Sequence, residues 1–237
     1  MAMSPADRRK IDRLVRHYES DQPLRDGIKS VESGLRTDLQ EWTPLRTLAH
    51  FVRGRTKDPD HLRDKLKRKE EERPGWLRNV NEENLGLKVT DLVGIRIVHL
   101  HTSQFPTVNA ALTDFLSYKN YQITEGPKAR VWDSEYLDYF KEQGIAASVN
   151  KRMYTSVHYV VRAPIKLKLK VEIQVRTLSE ELWGETDHVL NYPAKSKSVA
   201  CTEQIRVLAR VTSSATRLVD SIFRSDAEFK ARPRRRR

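Results

Sequence analysis

The chain has 237 residues with 44 Lys and Arg against 32 Asp and Glu, a formal net charge of +12, so its expected partners are polyanions such as nucleotides or RNA. No stretch nears the roughly 20 apolar residues of a bilayer span, the N-terminus lacks the apolar run of a secretory signal, and one cysteine, Cys201, excludes an internal disulfide or a cysteine zinc cage. These exclusions lead to the expectation of a soluble, cytoplasmic chain without membrane contact, long enough for one large domain or two small ones.

In chain order, residues from about 5 to 50 read as helix, with breaks near Pro23 and Pro44. Ile11, Leu14, Val15 and Tyr18 recur at helical spacing, as do Val31, Leu35 and Leu39. Asp58-Pro59-Asp60 marks a helix start, and Pro74-Gly75 ends that helix. Gly94 to Leu100 is a β-branched run of strand length, Phe105 to Tyr118 is helical, and Tyr121 to Glu125 is a second strand. Pro127 to Asn150 is poor in strand signals and is expected to form a mobile, helix-containing insertion. Tyr154 to Arg162 and Lys166 to Arg176 are two further strands. Thr177 with Glu180 forms a capping box that opens a helix to about Leu190. Ile205, Leu208, Val211, Ala215, Leu218, Ile222 and Phe223 lay one apolar stripe along a long terminal helix, which must bury itself on the N-terminal helices or on another subunit.

The pattern predicts an α+β fold, a mixed sheet of about five strands flanked by helices. Its expected divisions are an N-terminal helical region over residues 1–50, a central domain over 51–195, a C-terminal helix over 196–230 and a disordered basic tail over 231–237. A like-charged arginine run cannot pack, and it serves equally as a solubilising tail or a nucleic-acid contact.

The chemistry concentrates in a few segments. In the strand Lys170 to Arg176, Val171, Ile173 and Val175 face one way while Glu172, Gln174 and Arg176 form a polar wall on the other. Tyr154, Ser156 and His158 alternate in the same manner and would adjoin Glu172 if the two strands pair. An aromatic ring beside Lys151 and Arg152 suits a stacked base with phosphates attached. Asp91 stands just before a buried strand that contains Arg96, a place suited to Mg²⁺, which takes one or two carboxylates plus phosphate and water oxygens. Upstream, Arg53, Arg55, Lys57, Lys65, Lys67 and Lys69 form a cationic cluster, with Lys65 and Lys69 on one helix face. Taken singly, each segment also reads as a solvated sheet face, a packed tyrosine, a turn aspartate or a solvated helix. No glycine-rich phosphate loop is present, so cationic side chains would have to make the phosphate contacts.

In order and spacing, these segments resemble the synthetase domain of the RelA/SpoT family, the (p)ppGpp synthetases, over about residues 45 to 195. The resemblance rests on Arg55-Thr56-Lys57 before the basic helix, Asp91-Leu92-Val93-Gly94-Ile95-Arg96 and Tyr154-Thr155-Ser156-Val157-His158. It continues through Glu172-Ile173-Gln174-Val175-Arg176-Thr177, followed by Trp183, Glu185 and His188. It implies transfer of the β,γ-diphosphate of ATP to a ribose 3′-hydroxyl with release of AMP. In that case Asp91 and Glu172 would hold Mg²⁺, and Glu172 would serve as general base, oriented with the polyphosphate by Gln174 and Arg176. Arg55 and Arg96 would sandwich adenine, while Lys57, Lys65 and Lys69 neutralise phosphates. Tyr154 would stack on the acceptor base, with Lys151, Arg152, Ser156 and His158 around it.

Arg152-Met153 stands where the family commonly carries Asn-Gly, which predicts a differently shaped acceptor loop, and His61 replaces a common serine. No His-Asp pair of the family's hydrolase domain occurs, so the chain resembles the small single-domain synthetases, which are often homo-oligomers. The implied acceptor is GDP or GTP, or an adenine nucleotide. The alternatives are a toxic relative that pyrophosphorylates the tRNA 3′ end and has an antitoxin partner, and a non-catalytic RNA-binding chain that keeps the fold.

Overall fold

The computed structural model describes residues 3–150, 153–191 and 196–232. The chain opens with a helical hairpin. Ser4 caps α1 (Pro5–Ser20) by accepting from the Asp7 amide, and Pro5 occupies the first turn, where its missing N–H costs nothing. Asp21 ends α1 and caps α2 (Gln22–Glu41) through the Leu24 amide. The apolar residues read at helical spacing are buried, and they join the same core as the sheet, so the first 50 residues are not packed as a separate unit.

After the short α3 (Thr43–Arg46) the chain becomes extended as β1 (Ala49–Thr56), a strand that the sequence reading missed and that, with a short strand at Ala146–Val149, brings the sheet to six strands. β1 is an edge strand that pairs with β2 alone, and only Val52 in it is fully buried, so it lacks the alternating apolar pattern by which a strand is recognised. α4 (Pro59–Glu72) starts as expected at Asp58, which accepts from the Asp60 and His61 amides, and Gly75 turns away beyond it at φ 88°. Short turns and α5 (Leu85–Lys88) lead through Asp91 to β2 (Val93–His99) and α6 (Phe105–Tyr118).

The expectation of an insertion over residues 127–150 needs correction. This stretch supplies the second half of β3 (Gln122–Val131), then α7 (Ser134–Glu142) and β4 (Ala146–Val149). The strand signal fails there because β3 is irregular on both sides of Glu125, which shifts its register against its neighbour and breaks the alternation. β5 (Ser156–Arg162), β6 (Lys170–Thr177), α8 (Leu178–Asn191) and α9 (Val199–Ala231) complete the order. The sheet runs β1-β2-β6-β5-β3-β4, with β2–β6 and β3–β4 parallel and the other pairs antiparallel.

One sheet face carries Ile95, Ile97, Val171, Ile173, Val175, Val157, Tyr159 and Val161 into a common core with α6 and the N-terminal hairpin. Burial of each such side chain stabilises the fold by about 2 kcal/mol. The opposite face is left to polar residues and is partly covered by α8. The apolar stripe expected to bury α9 does not do so within this chain. The buried face of α9 is Ile205, Ala209, Thr212, Ser213 and Thr216, while Val211, Leu218 and Ile222 are more than half exposed. Close approach to α8 favours small residues there, which hydropathy periodicity does not register. Of the expected basic tail, Ala231 ends α9, and residues 233–237, with the arginines at 234–237, lie outside the described residues.

Two glycines test the backbone. Gly126 sits at φ +94°, and a Cβ there would stand 2.3 Å from the His158 carbonyl oxygen. Gly126→Ala is therefore expected to lower stability by more than about 2 kcal/mol. Gly34, exposed in α2 with nothing within 4 Å of its would-be Cβ, should gain about 1 kcal/mol on substitution by alanine. Urea midpoints of the two variants against the wild type check both signs.

Candidate active site

Sheet register assembles the site. Arg55 lies opposite Gly94 and Gly94 opposite Glu172, while Arg53, Arg96, Gln174 and His158 form the adjacent row. Alternation in β2, β5 and β6 turns these residues away from the apolar core. Gly94 lets the Arg55 arm lie across the strand, since a Cβ at that position would be 3.3 Å from Arg55 Nε. A cavity of about 260 Å³ opens here, bounded by Arg53, Arg55, Arg96, Glu172, Gln174 and Glu185.

At one side of this cavity, the loop before β2 presents Asp91. Its Oδ2 lies 2.8 Å from Lys57 Nζ and its Oδ1 2.7 Å from Lys65 Nζ, all three side chains being largely buried. Burial alone would push the Asp91 carboxyl up, but the two ammonium groups outweigh it and hold it below the usual range. The Tyr18 hydroxyl donates to the Lys57 carbonyl, which ties the N-terminal hairpin to the loop that carries this lysine. Behind that loop lies a larger cavity of about 430 Å³, bounded by Tyr18, Arg25, Ile28, Lys29, Thr56 and Lys57. Of the polar groups around Asp91 and Glu172, it shares Lys57 alone.

Glu172 is held from two sides. His158 Nδ1 is 3.3 Å from Glu172 Oε1, and Gln174 Nε2 donates to Oε2 at 2.9 Å. The other histidine nitrogen, Nε2, lies 2.6 Å from Ser156 Oγ. Burial would raise the Glu172 carboxyl, yet the hydrogen bond and charge of His158, the Gln174 amide and the nearby Lys65 bring it down to about 2. Lys65 thus acts on both acids, Asp91 by direct contact and Glu172 through space. Gln174 Oε1 in turn accepts from Arg176, so the polar wall expected from the alternation is a connected chain of hydrogen bonds.

Sequence reasoning missed the role of Glu181 on α8. Arg96 donates to Glu181 Oε1 at 2.7 Å and also to Glu185, and Arg176 reaches Glu181 Oε2 at 3.4 Å. The four-residue spacing of Glu181 and Glu185, one helix turn beyond a strand of basic and polar residues, is the signal that would have found them.

The remaining expected residues fall in different places. Lys69 pairs with Glu72 at 3.7 Å near the end of α4, apart from the Asp91 group. Tyr154 precedes β5 instead of opening it, and its ring lies nearly parallel to Trp183 with centroids 6.0 Å apart. Lys151 and Arg152 lie outside the described residues. Met153 takes φ 55°, the left-handed conformation that suits glycine, so methionine does not close that geometry as expected. The capping box is only half formed. The Glu180 amide donates to Thr177 Oγ1, but the Glu180 carboxylate accepts from the Thr155 amide instead.

A model of the region found in RelA / SpoT proteins matches residues 54–197, more than half of the chain. The chain belongs to the RelA/SpoT family. Among curated proteins it is similar to the GTP pyrophosphokinase YjbM of Bacillus subtilis (strain 168), 25% identical over 205 residues that cover 83% of this chain and 82% of YjbM. Among solved structures, a GTP pyrophosphokinase family protein from Streptococcus pneumoniae superposes with a TM-score of 0.60 at 18% identity, covering 87% of this chain and 92% of that one. The small alarmone synthetase 1 of Bacillus subtilis, bound to its product pppGpp, gives 0.58 at 19% identity over 86% and 94%. The RelA/SpoT match contains Arg55, the Asp91 group, Arg96, Glu172 and the acids of α8, while Tyr18 and Arg53 lie before it. No helix of the described residues is long and apolar enough to cross a membrane.

Both buried acids have folded values below their ordinary ones, so each contributes stability above its unfolded value, 3.8 for Asp91 and 4.5 for Glu172, and loses it as pH falls. Urea midpoints should drop steeply between about pH 4.5 and 2, and less steeply in Glu172→Gln. At pH 7, Asp91→Asn should cost about 3 kcal/mol, because it leaves two buried ammonium groups without their partner.

Proposed function

We propose that this chain is an alarmone synthetase that moves the β,γ-diphosphate of ATP to the ribose 3′-hydroxyl of GDP or GTP, releasing AMP, and that it has no hydrolase activity. The observation that carries this reading is the hydrogen-bonded row in which Glu172 is held ionised between His158 and Gln174, next to the lysine that also holds Asp91. Family membership and the GTP pyrophosphokinase named among the relatives support it.

The residues fit Mg²⁺. Asp91 is a buried carboxylate kept ionised by two lysines, and no group of three or more candidate metal ligands occurs among the described residues. A hard cation that takes one or two carboxylates and completes its shell with phosphate and water oxygens suits such a donor set. When bound, it supplies charge neutralisation at the donor phosphates and the departing AMP.

The chain's own groups do the rest. Arg55 and Arg96 bound the cavity with flat guanidinium surfaces for adenine, and Lys57 and Lys65 are placed to follow phosphate charge, with Lys69 further along α4. Tyr154 offers a ring to the acceptor base, with Lys151, Arg152 and Ser156 in the same segment. Glu172 accepts the hydrogen bond of the 3′-hydroxyl and then its proton. A carboxyl held near 2 is a weak base, which is tolerable because phosphoryl-type transfer depends more on positioning and charge neutralisation than on base strength. His158 and Gln174 keep that carboxylate aimed, and Arg176 anchors Gln174.

The exposed apolar residues of α9 favour association with another copy, which sizing at several concentrations checks. A concentration-independent monomer would remove that part of the proposal.

The deciding assay uses ATP labelled in its β and γ phosphates, offered GDP, GTP, ATP and deacylated tRNA in parallel with Mg²⁺. Label is expected on a guanine nucleotide. Label on tRNA alone would assign the chain to translation inhibition instead. Glu172→Gln should lose at least about 100-fold in transfer while still binding a non-hydrolysable ATP analogue. Near wild-type transfer by that variant would remove Glu172 from the reaction.

A further inference from the structure

Beneath the polar row, where β5 and β6 meet α7 and α8, four polar atoms are buried without a hydrogen-bond partner among the described residues. They are Thr155 Oγ1, Glu180 Oε1, Arg176 Nε and the Tyr136 hydroxyl. Their residues bound one small internal cavity, with about 10 Å³ available to the centre of a water molecule. That is room for about one water, and a buried water takes about two to four polar partners. The chemistry is complementary: Arg176 Nε donates, Glu180 Oε1 accepts, and the threonine hydroxyl does either. The second Glu180 oxygen, Oε2, already accepts from the Thr155 amide at 3.0 Å.

These contacts fall on a segment with little other support. β5 begins only at Ser156, Met153 is in the left-handed region at φ 55°, and Met153 and Tyr154 pack on Trp183, Ile205 and Ala209. A non-glycine residue held at positive φ costs roughly 1–2 kcal/mol, so the segment stays in place only if its surroundings fix it.

We infer that Glu180 is a positioning residue for the acceptor site. One carboxylate oxygen holds the Thr155 amide, and the other joins Arg176 and Thr155 Oγ1 through an enclosed water, so that Tyr154 is held in register with the Gln174–Glu172 row. This inference rests on the proposed role of Tyr154 in binding the acceptor base. It places Glu180 behind the reacting groups, in contact with none of them, and it makes α8 the element that links the acceptor loop to the catalytic wall.

The electrostatics agree. Burial pushes the Glu180 carboxyl up to about 7, against the pull of the Thr155 amide and Arg176 and with a further push from Asp133. Among the other titratable groups around the cavity, burial holds His99 down at about 4 and Tyr136 above its ordinary value, so neither changes charge near neutrality. As pH falls through about 7, Glu180 takes up a proton and its hold on the Thr155 amide weakens.

The test compares Glu180→Gln and Glu180→Met with the wild type, the glutamine variant keeping the shape if the methionine variant fails to fold. Loss of one charge-assisted hydrogen bond predicts a rise of about 10-fold in KM for the guanine nucleotide, with KM for ATP unchanged. The wild-type acceptor KM should rise as pH falls from 8 to 6, and Glu180→Gln should flatten that dependence. An unchanged acceptor KM, or an equal rise in both KM values, overturns the inference. A second arm needs no activity: hydrogen exchange of the Thr155 amide in the unliganded chain should be about 10-fold faster in the variants. An unchanged exchange rate overturns the inference whatever the acceptor proves to be. A wild-type chain that transfers label to no acceptor overturns the functional reading alone and leaves the exchange arm to decide.

Discussion

The parallel pairing of β2 with β6 is the constraint on which the rest of this molecule depends. It sets Gly94 beside Glu172 and Arg96 beside Gln174. Because alternate residues of both strands are apolar and fully buried, a slip of one residue would turn Ile95, Ile97, Ile173 and Val175 outward and the charged set into the core. The hydrophobic face therefore fixes the geometry of the polar face. The site needs no glycine-rich loop because the sheet itself spaces its cations and acids.

Three of the buried or largely buried acids are paired. Asp91 has two lysines, Glu172 has a histidine and an amide, and Glu181 takes two arginines. Each pair offsets a desolvation cost that would otherwise neutralise the group. In the proposed reaction the same pairs would exchange with substrate: a polyphosphate would offer the lysines and arginines further oxygens, and a cation would offer the carboxylates a stronger partner. The free chain thus keeps its functional groups ionised and in place by pairing them with one another. Preorganisation of this kind is what positioning-dominated phosphoryl chemistry requires.

The elements at the two ends serve the site indirectly. The N-terminal hairpin reaches it through the Tyr18 hydroxyl on the Lys57 carbonyl, and α9 reaches it through the small cluster of Trp183, Ile205 and Ala209 beneath Met153 and Tyr154. The far end of α9 is fastened separately. Asp220 accepts from the Ser103 amide and hydroxyl and pairs with His101, whose ring stacks on Phe223. The Lys57 side and the Tyr154 side of the row are thereby supported by the N-terminal hairpin and by α9, both of which close onto one sheet.

Much of this was legible in the residues themselves. Period-two alternation in Lys170–Arg176 revealed the wall of Glu172, Gln174 and Arg176, and Asp58-Pro59 and Pro74-Gly75 marked both ends of α4, because local sterics and capping act over a few residues. β1 and the second half of β3 were not legible. An edge strand with one buried residue and a strand with shifted register carry no periodic signal of their own and exist because a neighbour pairs with them. The partners of the charged groups were likewise settled only in three dimensions. Glu180 looked like a local cap and turned to Thr155, Arg96 found two acids on α8, and the apolar stripe of α9 gave way to small residues at the helix contact. Sequence determines which side chains share a face, since that follows from backbone geometry alone; which faces meet is decided by long-range packing, and with it the charge pairing that makes the row a site.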